Sequence, residues 1–217
     1  MTPPQLVIFD CDGVLVDSER ISNGVLAQML SAEGLPTTLA QARRHYQGLL
    51  LDEVLERAQQ KLGRALPAGW LARYERVRAH AFRQQLAPVP GAAHAVARVR
   101  AAGAMVCVAS QGKLAKTQLS LQLTGLDRLF EPSSLFSAHS VARGKPHPDL
   151  FLHAAAAMGA PPQRCVVVED TPSGVHAGVA ARMRVLGYAA DSDAHALARA
   201  GAEVVRSLER LPALLGF

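Results

Sequence analysis

The sequence predicts an α/β fold: a parallel sheet covered by helices on both faces and interrupted once by a helical insert. Three observations predict it. Short apolar runs recur along the chain with amphipathic stretches between them. The runs are apolar on both faces, as strands of a doubly covered parallel sheet must be. One long interval, from about Ser18 to Gln85, shows helical periodicity and no convincing strand. A chain of 217 residues suits one domain of ordinary size, or a core carrying a smaller insert.

Leu6 to Phe9 is the first expected strand. The insert then offers three amphipathic faces: Ile21, Val25, Leu26 and Met29; Val54, Leu55, Ala58 and Leu62; Trp70, Tyr74, Val77 and Phe82. Trp70 and Tyr74, one turn apart, are expected to pack within the insert. The insert leaves through Ala87-Pro88-Val89-Pro90-Gly91, whose prolines stiffen the return. Strands are then expected at Met105 to Ala109, Cys165 to Val168 and Arg184 to Leu186, with a weak edge at Val204 and Val205. Helices are expected at Ala92 to Ala102, Lys113 to Leu123, Pro148 to Met158, Ser173 to Ala181 and Asp193 to Ala200. Gly103, Gly125, Gly159 and Gly201 stand just past four of those helices, where a left-handed residue ends a helix. Strand alternating with helix is the mark of a doubly wound core.

Composition narrows the function classes. Hydrophobic residues make up 49% of the chain, enough for a substantial core, so global disorder is ruled out. The net charge of +5 favours an anionic ligand only mildly, and no block of like charges marks a nucleic-acid tail. No apolar run approaches the roughly 18 residues of a membrane span. The start, MTPPQLVIFDCDG, lacks the basic lead and apolar length of a signal peptide. Cys11, Cys107 and Cys165 are odd in number and widely spaced, which fits a reducing compartment, the cytoplasm.

The chemistry lies at strand ends. Asp10 and Asp12 follow the first strand, with Gly13 next, and residues two apart share a side of an extended chain. A polar turn is the plain reading of such a pair. An EF-hand loop fails on spacing and on the preceding strand. Glu169 and Asp170 then end another apolar strand. Four carboxylates at one sheet edge repel unless a cation sits among them, and oxygen ligands suit Mg²⁺. Ser110 ends a third strand before a helix start, either as a simple N-cap or as part of an anion seat. Lys145, in Gly144-Lys145-Pro146-His147-Pro148-Asp149, is either a surface lysine or a fixed positive charge. Acids with a metal, a hydroxyl and a lysine make a phosphoryl-transfer site. Arg43, Arg44, His45 and Lys113 could meet an anion, although charged side chains usually sit on solvated faces. His139, His147 and His176 lack a zinc spacing.

These residues resemble four motifs of the haloacid dehalogenase-like superfamily, in its phosphatase and phosphomutase branch. FDCDGVLVDSE resembles the first, Ser110 the second, Lys145 in GKPHPD the third, and Glu169-Asp170 in VVVEDTPSGVHAG the fourth. The resemblance implies a Rossmann-like catalytic core over 1–16 and 87–217 and a small α-helical cap over 17–86. It implies that Asp10 is the nucleophile and Asp12 the acid and base. Asp10, Asp12, Glu169 and Asp170 would hold Mg²⁺; Ser110, Gln111 through its backbone, and Lys145 would grip phosphate; Gly13 and Val14 would lie against it. Mutase relatives carry a histidine where Ser22 aligns and an arginine where Leu51 aligns, so hydrolysis is expected over mutase chemistry. The expected protein is a Mg²⁺-dependent, monomeric phosphatase of a small phosphorylated metabolite, binding neither nucleic acid nor membrane. A phosphosugar mutase and a phosphate-binding regulatory protein are the rival readings.

Overall fold

A computed structural model describes residues 3–217. Its contacts divide the chain into two compact units: one is the chain through Val16 together with Pro88–Phe217, the other is Asp17–Ala87. Ala87 thus falls with the helical unit, one residue from the expected boundary.

The first unit is built on strands β1 (Leu6–Phe9), β2 (Met105–Ser110), β3 (Leu135–Ser137), β4 (Cys165–Glu169), β5 (Arg184–Tyr188) and β6 (Glu203–Val205). All neighbours pair in parallel, in the order β3-β2-β1-β4-β5-β6. Leu6, Val7, Ile8 and Phe9 are fully buried, as are Cys107, Val108, Val167 and Val168, which is why these strands read as unbroken apolar runs. β3 was not expected. Its three residues lie between short 3₁₀ turns, too short a run to show a period.

The helices of the insert, α1 (Glu19–Ala32), α2 (Leu39–Tyr46), α3 (Leu51–Leu62) and α4 (Trp70–Gln85), form the second unit with their own core. That core gathers Leu26, Leu30, Ala42, Val54, Ala58 and Trp70. Trp70 stacks on Tyr74 at 6.0 Å and 5°. Val77 departs from its expected place and is exposed; Arg78 instead lies over the Tyr74 and Phe82 rings, at 5.0 and 6.0 Å. α2 was not expected as a separate helix. It buries only Ala42 and Tyr46, so its apolar stripe is one i, i+4 pair. A capping box, Thr38 with Gln41, starts it. No strand occurs in this unit.

Back in the first unit, α5 (Ala92–Ala101), α6 (Leu114–Thr124), α7 (Asp149–Ala157), α8 (Pro172–Ala180), α9 (Ala194–Ala200) and α10 (Leu211–Leu214) complete the chain. α7 packs on β1, β2 and β3, and α8 on β4 and β5. No helix of the described residues is long and apolar enough to cross a membrane. The connections run from β1 outward to β2 and β3, then return to β4 and run outward the other way. In open α/β sheets the ligand crevice lies where that direction reverses, which here is beyond the carboxyl ends of β1 and β4.

Candidate active site

Asp10 leaves β1 at this reversal and donates its backbone N–H to the Val168 carbonyl at 2.9 Å. Phe9 is level with Val168 and with Val108, so Asp10 comes level with Glu169 on one side and Ala109 on the other. The acids from two distant stretches therefore meet at one sheet edge. Beyond Asp10 the chain folds tightly: the Leu15 and Val16 N–H groups both donate to the Cys11 carbonyl, at 3.0 Å. Gly13 holds φ at +78°, and a Cβ there would overlap the Asp170 carboxylate. Val14 is buried beneath the turn.

Lys145 lies at the centre. Its ammonium donates to Asp10 Oδ1 at 2.6 Å, to Glu169 Oε1 at 2.6 Å and to the Ala109 carbonyl at 3.0 Å. It is 8% exposed, so the surface-lysine reading falls. Burial alone would lower its pKa, but Asp10 and Glu169 more than reverse that and hold it charged. Asp10 is pushed up to about 7: burial raises it, Lys145 opposes, and Glu169 and Asp12 raise it further. One ammonium meets two buried carboxylates, those of Asp10 and Glu169, and a third, Asp170, is buried next along the chain.

The remaining expected residues are placed as follows. Ser110, fully buried at the end of β2, accepts the Gly112 N–H at 3.1 Å. Asp12 pairs through Oδ1 with Lys116, while Lys113, the expected cation of this stretch, is exposed. Gln111 was expected to act through its backbone. Its side chain does more: Oε1 accepts the Lys145 N–H at 3.0 Å and Nε2 donates to the Lys145 carbonyl at 3.5 Å. Gly144 leaves room for this, since a Cβ there would come 2.7 Å from Gln111 Nε2. The amide thus clasps the backbone of the residue that carries the charge.

A family model for haloacid dehalogenase-like hydrolases matches residues 4–182. The chain belongs to that family. This hydrolase is 30% identical over 215 residues to 6-phosphogluconate phosphatase of Escherichia coli (strain K12), spanning 99% of this chain and 96% of that protein. It is 31% identical over 199 residues to hexitol phosphatase B of the same strain, spanning 84% and 83%. Among solved structures, a HAD family hydrolase from Deinococcus radiodurans R1 with bound phosphate and sodium matches with a TM-score of 0.81 at 34% identity, over 100% of this chain and 96% of that one.

The donor set of this hydrolase suits Mg²⁺, although one expected ligand, Glu169, is engaged with protein partners. Glu169 turns inward: Oε1 takes Lys145, and Oε2 accepts from the Asp170 N–H, the Thr171 N–H and the Thr171 hydroxyl at 3.0, 3.0 and 2.9 Å. Gly174, where a Cβ would overlap the Glu169 carboxylate, makes room for that arrangement. Glu169 therefore anchors the lysine and the turn into α8. Among the described residues no three His, Cys, Asp or Glu side chains form a ready metal cage. Mg²⁺ needs none, because it is commonly held by one or two carboxylates, waters and substrate phosphate. Two buried carboxylates, Asp10 and Asp170, beside the close turn at Gly13 meet that need.

Gln111→Ala should lower kcat about ten- to a hundredfold, since a loosened Lys145 costs positioning, and destabilise the fold by only about 1 kcal/mol. Steady-state kinetics beside a melting curve would show the split. An unchanged kcat would make the clasp irrelevant to catalysis.

Proposed function

We propose that this hydrolase is a Mg²⁺-dependent phosphatase that frees phosphate from a small phosphorylated sugar, sugar acid or glycolate-like metabolite through an aspartyl-phosphate on Asp10. The observation that carries it is the Asp10–Lys145–Glu169 cluster at the crevice, with Asp12 two residues on and Ser110 beside it. The two relatives named above, 6-phosphogluconate phosphatase and hexitol phosphatase B, support the substrate class.

The steps follow from the residues. The Asp10 carboxylate attacks phosphorus, and the bond to the leaving alcohol breaks as that oxygen takes a proton from Asp12. Water then attacks the aspartyl-phosphate, gives its proton to Asp12, and phosphate leaves with Asp10 restored. Lys145 fixes Asp10 through Oδ1 and offsets the charge of the incoming phosphate. The Ser110 hydroxyl and the Gln111 N–H grip the phosphoryl oxygens, while Gly13 and Val14 line the turn beside them. Asp10, Asp170 and the Asp12 carbonyl would hold Mg²⁺, which when bound neutralises charge on the phosphoryl group. Asp17–Ala87 serves as the cap that selects the substrate. Buried free Cys11, Cys107 and Cys165 are in keeping with a reducing compartment such as the cytoplasm.

A panel of phosphorylated sugars, sugar acids and polyols, assayed for phosphate release with and without chelator, tests the reading. Exhaustive EDTA should cut the rate at least about a hundredfold, with recovery in millimolar Mg²⁺. Undiminished activity after chelation would reject the metal, and silence on every substrate would reject the phosphatase. β-Glucose 1-phosphate with a trace of glucose 1,6-bisphosphate should yield phosphate; rapid glucose 6-phosphate formation instead would make the chain a mutase.

A further inference from the structure

The donors of Lys145 are all engaged. An ammonium has three N–H groups, and these go to Asp10, Glu169 and the Ala109 carbonyl. Lys145 therefore has nothing left with which to direct Asp12. Asp12 has a cation of its own in Lys116, and the two side chains are 20% and 11% exposed. The pair joins positions 104 residues apart, from the loop after β1 to the first turn of α6.

Two observations separate this pair from an ordinary surface bridge. A lysine in the first helical turn opposes the helix dipole, so helix stability does not account for it. That turn of α6 carries no acidic residue to balance it. Its stem also passes the turn at the end of β2: a Cβ on Gly112 would lie 3.3 Å from Lys116 Cδ and 3.5 Å from Ser110 Oγ. Lys116 thus draws the Asp12 carboxyl toward the turn that begins at Ser110.

We infer that Lys116 is a positioning residue for proton transfer, holding Asp12 where the leaving oxygen of the substrate departs. The inference rests on the phosphatase reading above. In the first half-reaction the P–O bond to the alcohol breaks, its electron pair stays on oxygen, and Asp12 supplies the proton. An alkoxide is a poor leaving group and needs that proton; 4-nitrophenolate departs without it. A misdirected Asp12 should therefore penalise alkyl phosphates far more than aryl ones. A lysine that only bound phosphate, or only supported the fold, would penalise both alike.

The test compares kcat/KM, which reports the steps through aspartyl-phosphate formation, for two substrates. One is 4-nitrophenyl phosphate, the other the alkyl phosphate turned over fastest in the panel. Lys116→Met should lose at least about tenfold more on the alkyl substrate than on the aryl one, and Lys116→Arg should recover most of that difference. Lys116→Gln carries the same comparison should the methionine variant fail to fold, with melting curves recorded for each. Equal losses on both substrates, or none on either, would overturn the inference while leaving the phosphatase reading intact. A wild-type enzyme inactive on both substrates would remove that reading and this inference together.

Discussion

Asp10→Asn should abolish turnover, with a loss of at least about a thousandfold in kcat, because an amide is neither the nucleophile nor the metal ligand that a carboxylate is. The fold should survive. Ionised Asp10 is unfavourable in the metal-free protein, since its folded pKa is raised to about 7 by burial, against Lys145, and then by Glu169 and Asp12. The sign follows: the proton is held more tightly folded than unfolded, so wild-type stability drains away as pH climbs from about 4 toward 7. A neutral side chain escapes that loss. In EDTA at pH 8 the variant should melt no lower than wild type, and its melting temperature should fall less across that pH window. Retention of even a tenth of the wild-type rate would exclude a covalent route through Asp10.

Lys145→Met should be damaging in both stability and rate. The lysine is the shared partner of two buried acids, Asp10 and Glu169, and its removal leaves them facing each other. Breaking a buried pair from one side costs roughly 3–5 kcal/mol. The same change removes the charge that steadies Asp10 and that, in the proposed mechanism, meets the phosphate, for a further loss of about a hundredfold or more in kcat. Denaturant melts and kinetics on one preparation would measure both. A variant as stable as wild type would show that the two acids fold without their cation. Lys145→Arg should rescue little, because a planar fork is no substitute for a compact ammonium between two carboxylates.

Much of this was legible before any coordinates, for physical reasons. β1, β2 and β4 are buried on both faces, so they stand out as unbroken apolar runs, and acids at their ends are conspicuous because nothing about a strand requires them. β3 stayed hidden because three residues show no period. α2 stayed hidden because one buried i, i+4 pair is no stripe. At the site, residue types were readable but partnerships were not. Lys116 reaching Asp12, and Gln111 reaching the Lys145 backbone across 34 residues, depend on where α6 and the loop before α7 come to rest. Glu169 shows the same limit. Its spacing marks a carboxylate at the crevice, and only its neighbours, Lys145 and Thr171, show that it faces inward.

The three sulphurs have a practical consequence. Cys11 follows Asp10, while Cys107 and Cys165 lie on β2 and β4, either side of β1, and all three are buried. Burial pushes the Cys11 and Cys107 thiols well above their ordinary range and Cys165 up to about 11. The folded protein therefore presents almost no thiolate to an alkylating reagent. Its reactivity toward Ellman's reagent becomes a clock for opening of the central sheet, readable without a dye or a tryptophan signal. For the same reason a cysteine introduced at an exposed position such as Gln28 would be the one thiol a maleimide finds, so the native chain is already a clean background for site-specific labelling.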